Sequence, residues 1–510
     1  MVRAAGFFRS SAIGRLIRHL PAAIMRLYGW LCGLIKSVAH SSTVLNWTDR
    51  AKAWKLRQRD RQMPQALKRF LAAPSIKPAA RWVTALLPAL ILLTGDQERP
   101  VAVLIALFYT AWAASNAVTV ATTSAFDSAF GRWLALLLVG SAFSLVFGGG
   151  DVQYAVWYEW IFWWLVAWLA YQSGRYIVGT QHFGTVLAGL GILCGALAVY
   201  QKITGYGDVA GWVPLTMRPI IGARATGFFG NPNTFASAIN LLMWPLATRL
   251  IDLAVGKTGK TSVGQQVTSQ TDAHPAAQQS VTKNVQHIVQ IVFYVIGLIG
   301  LALALLLTRS RAAMLGAIGA AAIMIAHTHF FRKLKARPGF WVAFAELVLL
   351  IALILIPIDV EHMPQTLIKS QMAAWQGRLV IWKEALILFC HSPLSGGGPG
   401  SLSNIVLPGG GQAYHAHNML LQWLAETGLF QTLILLLFII WYSKQIRKRV
   451  AHLSLLCGFS AAIAAILIQG LFDYPLAARP IGLLWWVWIG FGLSLARHNS
   501  SDEENPNSEI

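Results

Sequence analysis

Four segments gather polar side chains in an otherwise apolar sequence: "RPIIGARATGFFGNPNTFAS" at 218–237, "TRSRAAML" at 308–315, "GRLVIWKEALILFCHSPLSGGGPGS" at 377–401 and "HAHNMLLQWLAETGLF" at 415–430. They contain Arg224, Arg311 and Arg378, with Arg218 and Arg309 near them in sequence. Guanidinium groups stay charged and bind phosphate oxygens through two parallel hydrogen bonds, so such a set suits a phosphorylated anion. His415 and His417 add groups that can take a proton from a hydroxyl near neutral pH. If a helix starts at Asn418 the two rings point different ways, and only one need face a site. Asn418 could cap that helix, although position 421 is Leu and a capping box is absent. Glu426 lies eight residues on, about 12 Å deeper at the helical rise, too far to orient His417 and suited to a polar partner inside the bundle.

The elements that position these groups are membrane helices. Of 510 residues 56% are hydrophobic and only 12% charged, against roughly a quarter charged in soluble domains. Apolar runs near the ~20 residues that span a bilayer recur without the alternation of an outer-membrane barrel. Spans are expected at 82–95, 100–118, 132–148, 154–171, 183–201, 233–254, 286–307, 311–327, 338–357, 416–442, 453–472 and 479–496, an all-α bundle of about twelve helices. The units that follow are a basic extension at 1–80, N-terminal helices at 81–206, and a central region at 207–357 with a polar loop at 255–285. After these come a long loop at 358–415, C-terminal helices at 416–496 and a polar tail at 497–510.

The net charge of +21 sits largely in loops and in the first eighty residues, which topology explains better than a nucleic-acid partner. With a cytoplasmic N-terminus, the basic loops "SGRYIVGTQH", "HTHFFRKLKAR" and "YSKQIRKRVAH" all fall on the cytoplasmic side. The four polar segments then fall on the other face, where Asp359, Glu361 and Asp473 are the main carboxylates. A single arginine there can snorkel or cap a carbonyl; three with so few acids imply an external anion. The amphipathic stretch "MRLYGWLCGLIKSV" in the basic extension suits either anionic lipid or a solvated tether.

In the long loop, Leu379, Trp382, Leu386 and Phe389 share one helical face, so a short amphipathic helix opens with Arg378 and ends before Pro393. The "SGGGPGS" run after it reads as a hinge or turn, since it lacks phosphate-loop spacing. "VGKTGKTS" is no phosphate loop either, because Ala254 stands where that pattern needs glycine. Trp157, Trp160, Trp164 and Trp168 recur at helical spacing and read as an interfacial and packing stripe. Cys32, Cys194, Cys390 and Cys457 have no metal spacing, and no metal or other cofactor is expected.

Together these segments resemble the O-antigen ligase and polymerase superfamily of bacterial inner membranes. The resemblance rests on Arg224–Gly227 followed by Asn231–Asn233, on Ser310–Arg311, and on Gly377, Arg378 and Trp382 before Pro393–Gly398. His417, Asn418, Leu421, Gln422, Glu426 and Gly428 complete it. It implies metal-independent, inverting transfer of a glycan from undecaprenyl diphosphate to an acceptor hydroxyl, on a glycolipid or glycan, at the periplasmic face. Arg224, Arg311 and Arg378 would hold the donor diphosphate and His417 would act on the acceptor. His415, Asn418, Arg218, Arg309, Asn233 and Glu426 would support them. Membrane lipids are the other expected partners. Ligation to lipid A core, polymerisation of repeat units and transfer to protein share this machinery, and ligation is preferred. A transporter would instead show inverted repeats and polar groups near the bilayer midplane.

Overall fold

The computed structural model describes residues 76–93, 128–174, 181–205, 224–254, 273–327, 365–405, 414–447 and 454–504. Among them are eleven α-helices, two short 3-10 turns and no strand. In chain order the helices are α1 (Ile76–Leu93), α2 (Ala129–Phe147), α3 (Tyr154–Ser173), α4 (Gln181–Thr204), α5 (Pro232–Ala254) and α6 (Ala273–Thr308). They continue with α7 (Arg311–His327), α8 (Gln365–His391), α9 (Met419–Arg447), α10 (Ser454–Gln469) and α11 (Arg479–Glu504). Six of the described helices are long and apolar enough to cross a membrane, which makes the chain a multi-pass membrane protein.

The described helices overlie ten of the expected spans; 100–118 and 338–357 lie outside the described residues, as do Arg218 and residues 1–75. Helix α6 begins at Ala273, well before 286, because "AHPAAQQSVTKNVQ" is rich in residues that tolerate a helix. Local signals set several boundaries. Ser128 caps α2 by accepting the Gly131 N–H at 2.9 Å. At α5, Asn231 accepts from Asn233 and Thr234 N–H, and Pro232 takes the first helical position, where its missing N–H costs nothing. Helix α8 stops at His391, two residues before Pro393 as expected, but it opens at Gln365 rather than at Arg378 and is 27 residues long. The stretch "QTLIKSQMAAWQ" contains no helix breaker and lets the helix extend back past Arg378.

Helix α11 runs through the middle of the bundle, its apolar part almost wholly buried. Its indoles are satisfied by neighbouring backbone: Trp488 Nε1 donates to Leu241 O on α5 at 2.9 Å, and Trp485 Nε1 to Ile463 O on α10 at 3.4 Å. The tryptophans of α3 are a packing stripe, with Trp164 edge-on to Trp486 and Trp157 donating to Ser141 on α2. Helices α4 and α6 approach closely because glycine faces glycine, Gly191 against Gly297 and Gly195 against Gly300.

Helix α9 is broken inside its apolar length. Gly428 has φ 65 and ψ −173, and the glycine-rich turn after α8 fits into the break. Gly397 and Gly398 N–H donate to Ala425 and Glu426 carbonyls, while Leu429 and Phe430 N–H donate to Pro393 and Leu394 carbonyls. The other side of the turn is held by Gly149 and Gly150 N–H on the Gly396 and Gly397 carbonyls. Of the two readings of "SGGGPGS", hinge or turn, the clamped turn is the observed one. A hinge could not meet so many backbone groups at once.

Candidate functional site

The ends of α4, α6 and α10, the starts of α5, α7 and α9 and the link 470–473 that precedes α11 are joined by hydrogen bonds into one polar end of the bundle. Gln201, at the end of α4, accepts from Thr226 and Gly227 N–H at 3.0 Å each and so pins the turn after Arg224. Gln469, at the end of α10, donates to Ser237 on α5 at 2.8 Å. Arg224 is drawn inward by this frame: its Nε donates to Thr308 O at 2.7 Å and its Nη2 to Asn233 Oδ1 at 3.1 Å. Asn233 therefore supports Arg224 directly.

Burial lowers the Arg224 pKa to about 10, with Arg309 and Arg311 pushing it the same way and Asp473 opposing them. The guanidinium remains charged at neutral pH, and these couplings place all four residues in one electrostatic neighbourhood. Arg309 and Arg311 are exposed, and Arg311 is the first residue of α7, so the first-turn N–H groups, which have no partner within the helix, lie beside it. Arg378 comes in on α8 and donates to Phe472 O at 3.2 Å, the carbonyl next to Asp473.

His417 Nδ1 lies 3.2 Å from Asp473 Oδ1. The two histidine rings do not point different ways, as was expected for a helix starting at Asn418. They meet edge to face with centroids 4.2 Å apart, because the helix starts only at Met419 and His417 has left-handed backbone at φ 50. Among the described residues the non-glycine positions with positive φ are Arg309 and His417. Both sit at this polar end, where strained backbone is retained when the surroundings over-determine it. Asn418 caps α9 as expected, accepting from Leu421 N–H and donating to Leu471 O, each at 2.9 Å. Glu426 is set back from the histidines and faces Gln422 and the N–H groups of Gly400 and Leu402.

Asp473 is buried, which alone would raise its pKa. The hydrogen bond and charge of His417, the charge of His415 and the Tyr474 N–H outweigh burial, so it is held below the usual carboxylate range. An ionised Asp473 can only accept, so Nδ1 of His417 carries the proton that faces it, and in the neutral imidazole Nε2 is the nitrogen left to accept. Burial chiefly, with His417 and Arg378, lowers His415 from 6.5 to about 4, against the pull of Asp473. The unfolded chain therefore binds a proton at His415 near its ordinary pKa and the folded chain only near pH 4. Stability falls as pH drops through that window. The thermal midpoint of the purified protein should decline from about pH 6.5 to about pH 4, and His415→Gln should flatten the decline; an unchanged slope would remove His415 as its cause.

His415, His417 and Asp473 bring ligand atoms within 4.8 Å of one another, a spacing a cation could use. Arg224 and Arg378 carry positive charge into the same neighbourhood, and that field favours an anion. Arg479, another arginine at this end, is paired with Glu159 of α3 at 3.2 Å.

The sequence had offered Asp473 only as a partner for arginine; its pairing with His417 was missed, as were the roles of Gln201, Gln422 and Gln469. The available signal was that Asp473 is the sole acid in the link "GLFDYPLAARP" between the last two spans.

The described residues thus form an all-helical, multi-pass membrane bundle that gathers arginines and a His–Asp pair at one end. Residues 296–436 match the family model described as O-Antigen ligase, which supports membership of the O-antigen ligase superfamily. The match includes Arg309, Arg311, Arg378, His415, His417, Asn418 and Glu426, while Arg224, Asn233 and Asp473 lie outside it. No curated protein matches the chain.

Proposed function

We propose that the protein is an inner-membrane glycosyltransferase that moves a glycan from undecaprenyl diphosphate to an acceptor hydroxyl at the periplasmic face, as an O-antigen ligase acting on lipid A core. The observation that carries this reading is the His417–Asp473 pair set beside Arg224, Arg309, Arg311 and Arg378. It supports a base for an alcohol and a cradle for a diphosphate within one site.

In this mechanism Asp473 keeps the His417 Nδ1–H in place, and Nε2 takes the proton of the acceptor hydroxyl. The acceptor oxygen attacks the anomeric carbon, and the bond from that carbon to the donor phosphate oxygen breaks. The electron pair leaves with the lipid diphosphate, and direct displacement inverts the anomeric configuration. Arg311 and Arg378 meet the charge that grows on the leaving group, which contributes to rate as well as binding. Arg224, held by Thr308 and Asn233, fixes the side of the cradle nearest Asp473. No carboxylate pair spaced for a retaining route is part of the scheme.

The test is complementation of a bacterial host that lacks its own ligase, with surface glycan followed on gels. Long lipid-linked chains beside bare core in the host, cleared by the wild-type chain, fit a ligase. Core carrying one repeat, extended by the wild-type chain in a polymerase-deficient host, fits a polymerase instead. Arg311→Ala should abolish the product, and Arg224→Lys should lower it at least about tenfold because the ammonium cannot span Thr308 and Asn233 together. Normal product from both variants, with normal insertion, would refute the diphosphate cradle.

A further inference from the structure

Ala416, between the two histidines, is fully buried, and side chains from elsewhere take both polar groups of its backbone. Its N–H donates to Gln422 Oε1 at 2.7 Å, and its carbonyl accepts from Trp382 Nε1 at 2.7 Å. Gln422 is 2% exposed and hydrogen-bonds to Glu426, which is 4% exposed. Glu426 also accepts from the N–H groups of Gly400 and Leu402, in the turn that follows the glycine run.

The direction of this chain is determined. The Ala416 N–H can only donate, so the Gln422 oxygen faces it and the amide N–H is left for Glu426, which accepts. The residue after Ala416 is His417, whose left-handed backbone needs such restraint. Trp382 lies one helical turn after Arg378 on α8, so the helix that carries Arg378 to the Phe472 carbonyl also ties down the histidine strand.

We propose that Gln422 and Trp382 are positioning residues that clamp the Ala416 peptide and thereby aim His417 at Asp473, with Glu426 setting the orientation of the Gln422 amide. The proposal rests on the reading of His417 as the base. The clamped glycine turn is part of the same device, because through Glu426 and Gln422 its seating in the α9 break is transmitted to the histidine strand.

The experiment measures transfer by the purified full-length protein in proteoliposomes, with a lipid-diphosphate-linked glycan as donor and a core glycolipid as acceptor. Trp382→Phe keeps the ring and removes the N–H; turnover should fall about tenfold while the KM for donor stays unchanged. Gln422→Glu sets two carboxylates one helical turn apart and should lose more. The double variant Gln422→Glu with Glu426→Gln reverses only the bond between the two positions: the new carboxylate at 422 still accepts from the Ala416 N–H and now also from the new amide at 426, whose oxygen accepts from the Gly400 and Leu402 N–H groups. It should recover turnover to within about threefold of wild type, since all the hydrogen bonds are again met. If Trp382→Phe and Gln422→Glu retain full turnover while His417→Ala is inactive, the positioning proposal is wrong and the base stands. Full turnover in His417→Ala would instead remove the reading beneath it. A double variant that regains the thermal midpoint but not turnover would also overturn the proposal.

Discussion

Replacing His417 by alanine should lower glycan transfer by about 10²- to 10⁴-fold, the usual worth of a placed general base, with the protein still inserted and folded. The fold should survive because His417 is not what holds its surroundings. Asp473 keeps the Tyr474 N–H at 2.8 Å, Asn418 still caps α9, and Met419 N–H still reaches the Gly470 carbonyl. The arginines are untouched, so donor affinity should be unchanged and the loss should appear in turnover. Removing Asp473 as Asp473→Asn should follow the same pattern less severely. The amide can turn its N–H toward Nδ1 and place the imidazole proton on Nε2, the wrong nitrogen for a base. The measurement is steady-state transfer at saturating donor, with folded protein quantified by size-exclusion chromatography. Activity within about tenfold of wild type would mean that another group takes the acceptor proton.

The same comparison separates base from cradle. An Arg311 variant should raise the KM for donor as well as lower turnover, since its charge meets the diphosphate before and during departure of the leaving group. Arg311 is exposed at the start of α7 and Arg224 is half-buried against Thr308 and Asn233. The first is free to follow a moving ligand, and the second is part of the wall. Two arginines with similar sequence surroundings thus have different mechanical roles, which decides how a lysine substitution behaves at each.

Much of this was legible in the sequence, and what escaped has a physical reason. Apolar length is a strong local signal, so the starts of α2, α3, α5 and α7 fall within a few residues of expectation. The convergence of the four polar segments followed from counting spans, because alternate helix ends must share a face. The capping role of Asn418 was readable from its place before an apolar run. The His417–Asp473 pair was not, since nothing in the spacing of residues 417 and 473 shows that the link after α10 folds back over the start of α9. The orientation of the two histidines departs from expectation for a related reason. A helical period does not hold for residues that precede the helix, where one left-handed residue resets the direction of both rings. The glycine run could not be resolved between hinge and turn because glycine serves both. Only the break at Gly428, itself hidden inside an apolar run, shows what the glycines approach.

That break carries the second large effect. Gly428→Ala should prevent accumulation of folded protein or lower its thermal midpoint severely, because two independent costs fall on one atom. The backbone at φ 65, ψ −173 lies in a region essentially open to glycine alone, which costs about 1–3 kcal/mol for any side chain. A Cβ there would also stand 2.4 Å from Gly396 N and from Leu394 O, both backbone atoms that cannot swing aside as a side-chain tip would. The turn would have to leave the break, exposing the Ala425 and Glu426 carbonyls and the Leu429 and Phe430 N–H groups inside an apolar span, each costing several kcal/mol without water. Gly396→Ala is the matched test from the other side, with φ 69 and a Cβ 2.5 Å from Gly428 N. Both variants should fail alike in expression and thermal melts, and the double variant should be little worse than either, because the contact is lost once. Full stability in Gly428→Ala would mean that the turn is not seated in α9, and would remove with it the path from Glu426 through Gln422 to the histidine strand.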